Sequence, residues 1–350
     1  MREKKIPVGI LGATGSVGQK FIELLNGHPW FEITVLAASE RSAGKIYGEA
    51  VNWFMSSPLP ASIAAMEVKP CVPVDFPCRI VFSGLDASVA GEIETEFAQA
   101  GYWVVSNSRN HRFDTDVPLL IPEINADHLA LIKHQKYEQG AIITNPNCST
   151  IGMTIALKPL FDAFGIDALQ VFTMQALSGA GYPGVPSLDI IDNVIPFIKS
   201  EEEKMESEPL KILGKLRNDH IENAQMAISA HCNRVAVVDG HTECVSVKFS
   251  KPVDPEDIIR IWREFRGVPQ HLNLPSAPIQ PIYYFDEDRY PQPRLHRMLD
   301  KGMAVAVGRL RKCSIMDYKF VLLSHNTIRG AAGGAILNAE LLIEQGYLDV

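Results

Sequence analysis

Short apolar runs alternate with longer segments of helical periodicity through the first part of the chain. Ile6–Leu11 is apolar and ends at a glycine cluster; Val17, Phe21, Leu24 and Leu25 then recur at the spacing of one helix face. Phe31–Ala38, Cys78–Ser83, Tyr102–Ser106 and Ala141–Thr144 read as further strands, with helical stretches such as Val89–Ala100 among them. Apolar strands separated by helices predict an α/β fold, a parallel sheet covered on both faces. The texture changes after Cys148. Ser149–Phe164 is helical, Lys199–Lys215 is acidic and lysine-rich, and strand patterns occupy Arg234–Val238 and Glu243–Phe249. Asp239-Gly240 between those two strands predicts a hairpin. A small-residue run, Gly330–Gly334, opens an amphipathic helix over Ala335–Gln345. The expected organisation is a first domain of residues 1–147 plus 325–350, and a second, α+β domain of residues 148–324.

Composition narrows the class. With 350 residues, 46% hydrophobic and 21% charged, the chain is an ordinary globular one, and longer than a single core usually grows. A net charge of −8 excludes a nucleic-acid coat, which needs a basic surface. The six cysteines are scattered, without C-x-x-C or zinc-type Cys/His spacing, so a reducing, cytoplasmic setting and no metal site are expected. Met1-Arg2-Glu3-Lys4-Lys5 leads straight into the first strand and leaves no room for a signal-peptide apolar region. Two long uncharged stretches, Gln139–Leu157 and Ala168–Leu188, are interrupted by Asn145-Pro146-Asn147 and by Ser178–Gly184. Neither could satisfy its backbone in lipid, so no membrane partner is expected.

Gly12-Ala13-Thr14-Gly15-Ser16-Val17-Gly18 lies between the first strand and the first helix. Glycines there permit a tight turn, and a helix N-terminus offers free N–H groups to a diphosphate, as in a Rossmann-type dinucleotide-binding domain. The spacing is a variant of the usual fingerprint, and Gly12, Thr14, Gly15, Ser16 and Val17 are the expected contacts. An acidic residue commonly follows the second strand in NAD-binding proteins. Here Ser39, Arg41 and Ser42 could hold a 2′-phosphate, which favours NADP, while Glu40 keeps NAD open. Ser83, ending the strand at Cys78–Ser83, joins the expected cofactor positions.

Cys148 sits where a strand gives way to a helix, in Asn145-Pro146-Asn147-Cys148-Ser149-Thr150. A helix N-terminus favours thiolate and can stabilise an oxyanion. The other five cysteines read as inert; Asn145 and Asn147 do not suit an apolar core around Cys148. A thiol nucleophile beside a nicotinamide cofactor points to aldehyde oxidation or its reverse through a thioester. A two-residue loop at Asp239-Gly240 would set Arg234 and His241 on one face, roughly a dozen ångströms apart along the ladder. By pattern alone, His241 fits a turn histidine as well as a catalytic one.

The glycine run, the Asn-Pro-Asn-Cys-Ser-Thr segment, Arg234 with His241 seven positions later, and His325–Gly333 together resemble the aspartate-β-semialdehyde dehydrogenase family. The wording is closer to its archaeal and fungal type. The resemblance spans the chain and implies a reversible, NADP-dependent conversion of L-4-aspartyl phosphate to L-aspartate 4-semialdehyde, serving lysine, methionine and threonine synthesis. It implies that Cys148 is the nucleophile, His241 the general acid/base and Gln175 the group that orients the acyl intermediate. Glu208, Lys211, Arg234, Arg112 and Asn147 would bind substrate, with Arg109 a competitor of Arg112 for phosphate. Ser178, Gly179 and Asn326 would lie near the nicotinamide half, and residues 148–324 would form the catalytic and dimerisation domain of a homodimer or homotetramer. Glu208 and Lys211 also fit an ordinary helix ion pair in a charge run. Two other readings stand beside this one: a malonyl-coenzyme A reductase on the same fold, and a non-catalytic NADP-sensing regulator.

Overall fold

The computed structural model describes residues 4–348 and divides the chain into two compact units. Among the described residues, the first unit holds the chain up to Leu120, Asp127–Asn145, and everything from Ala332 on. The second holds Ile121–Ala126 and Pro146–Ala331. His325–Ala331 thus goes with the second unit, for visible reasons. Asn326 bonds to Gly240 N at 2.9 Å and to Ser178 Oγ at 2.8 Å. The fully buried Arg329 forms a bidentate pair with Glu123, at 2.9 and 2.6 Å. Removing one member of such a pair costs about 3–5 kcal/mol, so it fixes Ile121–Ala126 firmly in the second unit.

In the first unit, β1 (Ile6–Leu11), β2 (Phe31–Ala38), β3 (Val68–Pro70), β4 (Ile80–Ser83), β5 (Trp103–Ser106) and β6 (Ala141–Thr144) form one sheet in the order β3-β2-β1-β4-β5-β6. All its pairings are parallel. Every residue of β4, β5 and β6 is buried, as expected of parallel strands covered on both faces. The strand order reverses at β1 and β4, where such sheets bind nucleotides. Helix α1 (Ser16–Leu25) begins there. The helix Gly333–Glu344 also belongs to this unit, is buried from Gly333 to Ile343, and packs on β4 and β5. No helix among the described residues is long and apolar enough to cross a membrane.

The second unit is a mixed six-stranded sheet. It contains β7 (Ile166–Gln175), β8 (Ala227–Arg234), β9 (His241–Phe249), β10 (Ile282–Phe285), β11 (Val305–Lys312) and β12 (Tyr318–Ser324), in the order β8-β7-β9-β12-β11-β10. Along β9 the odd positions from His241 to Phe249 are buried and the even ones are not, the alternation of a sheet covered on one face. The long helix Cys148–Phe164 packs against β7, β9, β11 and β12.

The expected hairpin at Asp239-Gly240 is not formed. The strand before it ends at Arg234, β8 runs parallel to β7, and β7 lies between β8 and β9. The chain must therefore cross the end of β7. Val235–Val238 make their backbone bonds to the residues around that end: Val235 N to Gln175 O, Leu177 N to Val237 O and Ser178 N to Val238 O. Those partners replace the ladder the sequence suggested.

Candidate active site

The glycine turn has the geometry of a nucleotide cradle. Gly12 has φ +75°, and a Cβ there would stand 2.8 Å from the Gly84 carbonyl oxygen, so no other residue fits without displacing backbone. The turn is pinned by the Tyr47 hydroxyl, which donates to Ala13 O at 2.8 Å, and by the Gln19 amide, which donates to Thr14 O at 3.0 Å. No side chain caps the N-terminus of α1, which leaves its first N–H groups for an anion. Ser39 and Arg41 are exposed just beyond β2, and Ser42 is half-buried. The Ser83 hydroxyl is buried and donates to Glu94 at 2.6 Å, and its carbonyl accepts from Asn107 N. Arg112 is buried in this same unit, donating to Asn107 O at 2.9 Å, whereas Arg109 is exposed.

The thiol site lies wholly in the second unit. Asn147 caps the Cys148–Phe164 helix, its Oδ1 accepting from Ser149 N at 3.0 Å and Thr150 N at 3.2 Å. A cap of this kind is worth about 1 kcal/mol, and it sets Cys148 in the first turn. The Cys148 Sγ is 3.2 Å from His241 Nε2. On its other side, His241 Nδ1 accepts from Ala176 N at 3.0 Å. A ring nitrogen that accepts a backbone N–H carries no proton of its own, so the neutral ring bears its hydrogen on Nε2, facing sulfur. The sulfur then serves as acceptor.

Arg234 stands beside this pair. Its Nη1 donates to Ala176 O at 2.7 Å, so one residue, Ala176, holds both Arg234 and His241. A Cβ on Gly179 would meet Arg234 Nη1 at 2.9 Å and His241 Cε1 at 3.1 Å, which places Ser178-Gly179 directly against them. Burial of His241, reinforced by the Arg234 charge, lowers its imidazole pKa from 6.5 to about 3. The unfolded chain takes this proton near 6.5 and the folded chain only near 3, so stability is lost as pH falls through that window. His241→Ala should flatten this loss in denaturant titrations run across the window. An equally steep fall in the variant would show that other groups cause it.

Beneath the thiol lies a cluster of acids. Glu208 Oε2 accepts from Asn147 N at 2.7 Å, and Lys211 is buried one turn further along helix Glu201–Ile212. Glu201 accepts from Asn147 Nδ2 at 3.0 and 2.8 Å, from Gln175 Nε2 at 3.2 Å and from Lys204 Nζ at 2.6 Å. Both ends of the Asn147 side chain are therefore engaged within the protein. Glu243 is fully buried, and neither of its carboxyl oxygens has a hydrogen-bond partner among the described residues. Burial first, and the Glu201 charge second, hold its pKa well above the carboxylate range.

The structure thus brings together Asn147, Cys148, Gln175, Ser178, Gly179, Glu208, Arg234, His241 and Asn326 within the second unit. Glu201 and Glu243 were missed. A signal for Glu201 existed: with Met205, Glu208 and Ile212 it shares one buried helix face at i, i+4, i+7 and i+11.

A parallel dinucleotide-type sheet in a chain that also holds a thiol against an imidazole defines a thiol-dependent dehydrogenase acting at the aldehyde level. Residues 7–132 match the family described as semialdehyde dehydrogenase, NAD binding domain, and residues 157–329 match semialdehyde dehydrogenase, dimerisation domain. The chain is 53% identical to the aspartate-semialdehyde dehydrogenase of Schizosaccharomyces pombe, covering 97% of this chain and 99% of that one. It is 51% identical to that of Archaeoglobus fulgidus, covering 97% and 98%. A crystal structure of aspartate semialdehyde dehydrogenase with NADP from Candida albicans matches with a TM-score of 0.92 at 45% identity, over 98% of this chain and all of that one. The chain belongs to the aspartate-semialdehyde dehydrogenase family.

Proposed function

We propose that this chain catalyses the reversible, NADP-dependent conversion of L-4-aspartyl phosphate to L-aspartate 4-semialdehyde and phosphate, working in the cytoplasm as a homodimer or homotetramer. The observation that carries the mechanism is the Cys148 Sγ to His241 Nε2 contact of 3.2 Å, with Nδ1 held by Ala176 N. That arrangement aims the Nε2–H of a neutral ring at the sulfur, and the Arg234 charge, which interacts with Cys148, favours the thiolate form.

The thiolate attacks the acyl carbon, the carbon–oxygen bond to phosphate breaks, and phosphate leaves with the electron pair. Gly12, Thr14, Gly15, Ser16 and Val17 would hold NADPH, with Ser39, Arg41 and Ser42 available to its 2′-phosphate, and the bound cofactor would supply the hydride by which the thioester is reduced. The His241 Nε2–H then faces the oxygen that becomes anionic, and donation to it lowers the barrier. Collapse returns the thiolate and frees the aldehyde. Arg234 binds the substrate carboxylate through its planar fork. Gln175 and Glu208 orient the amino-bearing chain, Ser178, Gly179 and Asn326 would serve the nicotinamide half of a bound cofactor, and Lys211 and Arg112 would serve phosphate.

Two measurements test this. NADPH oxidation should proceed with aspartyl phosphate and not with malonyl-coenzyme A; turnover with the thioester alone would sink the reading. Arg234→Lys keeps the charge and loses the fork, so KM for aspartate semialdehyde should rise by about tenfold or more, the scale of a lost charge-assisted hydrogen bond. An unchanged KM would remove Arg234 from carboxylate binding.

A further inference from the structure

Amide side chains are nearly symmetric in shape, so which end faces a substrate depends on their neighbours. Gln175 ends β7 and is almost fully buried. Every side-chain hydrogen bond it makes among the described residues is donated by its nitrogen, to Glu201 Oε2 at 3.2 Å and to Thr173 Oγ1 at 3.4 Å. A carboxylate has acceptors only, so Glu201 compels the nitrogen toward itself and leaves the carbonyl oxygen as the end that can meet a ligand. Burial alone would raise the Glu201 pKa. The Lys204 charge and the hydrogen bonds from Lys204, Asn147 and Gln175 outweigh it and leave the pKa below the ordinary value.

We propose that Glu201 is a positioning residue that fixes the amide of Gln175 with its oxygen toward the acyl chain. This rests on the reading of Gln175 given above. The bound acyl chain carries one donor, its α-ammonium group, and an inward-facing oxygen is what that donor requires. Glu201 performs a parallel task at Asn147, where its contact with Nδ2 leaves Oδ1 for the N–H groups of Ser149 and Thr150.

The substitution Glu201→Gln exposes this role, because Lys204 decides how the new amide turns. The Lys204 ammonium lies 2.6 Å from Oε1 and will take the amide oxygen. The new NH₂ then faces the nitrogen of Gln175, donor against donor, and Gln175 relieves the clash by reversing, while Asn147 Nδ2 keeps its acceptor in the retained oxygen at the Oε1 position, 3.0 Å away. The Gln175 NH₂ would meet the substrate ammonium. Turnover should fall by about 10²-fold, the cost of a misplaced reacting group, with dinucleotide affinity unchanged.

A double-mutant cycle separates this from a general structural effect. Gln175→Ala alone should lower turnover, and adding Glu201→Gln to it should change turnover by no more than about twofold, because the residue through which Glu201 acts is gone. If Glu201→Gln costs its full factor again in the Gln175→Ala background, the inference is overturned while the role of Gln175 stands. If Gln175→Ala alone turns over normally, the role of Gln175 fails, and the inference falls with it. Glu201→Asp, which keeps the charge but withdraws it by one methylene, gives a second cycle with the same two outcomes should Glu201→Gln not fold.

Discussion

Cys148→Ser is expected to bind NADP as the unaltered protein does and to turn over slower by about 10⁴-fold or more, the scale on which removal of an activated nucleophile acts. The Cys148 side chain takes no part in the helix cap, which is made by Asn147 with Ser149 N and Thr150 N. Exchanging sulfur for oxygen therefore leaves the helix start in place. What changes is the nucleophile, since a hydroxyl facing the Nε2–H of a neutral ring meets a donor and no base. Cofactor titration by fluorescence and steady-state rates with aspartate semialdehyde and phosphate measure the two halves. Normal turnover in this variant would end the thiol mechanism.

His241→Ala should lower turnover by about 10²–10⁴-fold. The tautomer set by Ala176 N makes a sharper demand on a second substitution. His241→Gln can place an amide N–H where Nε2–H now stands, so it should recover a substantial part of the loss if the ring acts by donating a hydrogen bond. If Gln is as poor as Ala, the ring must exchange a proton during turnover, and the donor-only reading is wrong. Both variants remove the buried imidazole, so a difference between them does not arise from its burial.

Much of the first unit could be read from sequence because its strands are uninterrupted apolar runs. Phe31–Ala38 and Ala141–Thr144 are observed with those bounds, and the glycine run falls where strand meets helix, a local pattern with local causes. The second unit was harder. Asp239-Gly240 carries a true turn signal, and Gly240 does adopt φ +98°. The residues leading into it, Val235–Val238, bond however to Gln175, Leu177 and Ser178, some sixty residues earlier, and no window along the chain contains them. Arg234 and His241 converge all the same, through Ala176, whose contribution is backbone and so carries no signature in its residue type. Glu201 was hidden differently. In Glu201-Glu202-Glu203-Lys204 it looks like a solvated charge, and only the spacing to Met205, Glu208 and Ile212 marks it as inward-facing. Ser83 is a polar residue at a strand end whose hydroxyl bonds to a buried glutamate, a partner eleven residues on that its own position does not announce.

The helix Gly333–Glu344 covers β4 and β5, yet it follows the whole second unit in the chain. All six strands of the parallel sheet are available once Thr144 has been made, but part of the apolar surface on β4 and β5 then has nothing to lie against. On the ribosome the N-terminal unit must wait, its sheet uncovered, while the second unit is synthesised. Vectorial folding from the N-terminus is therefore closed to this chain: its first-made unit is completed after its second.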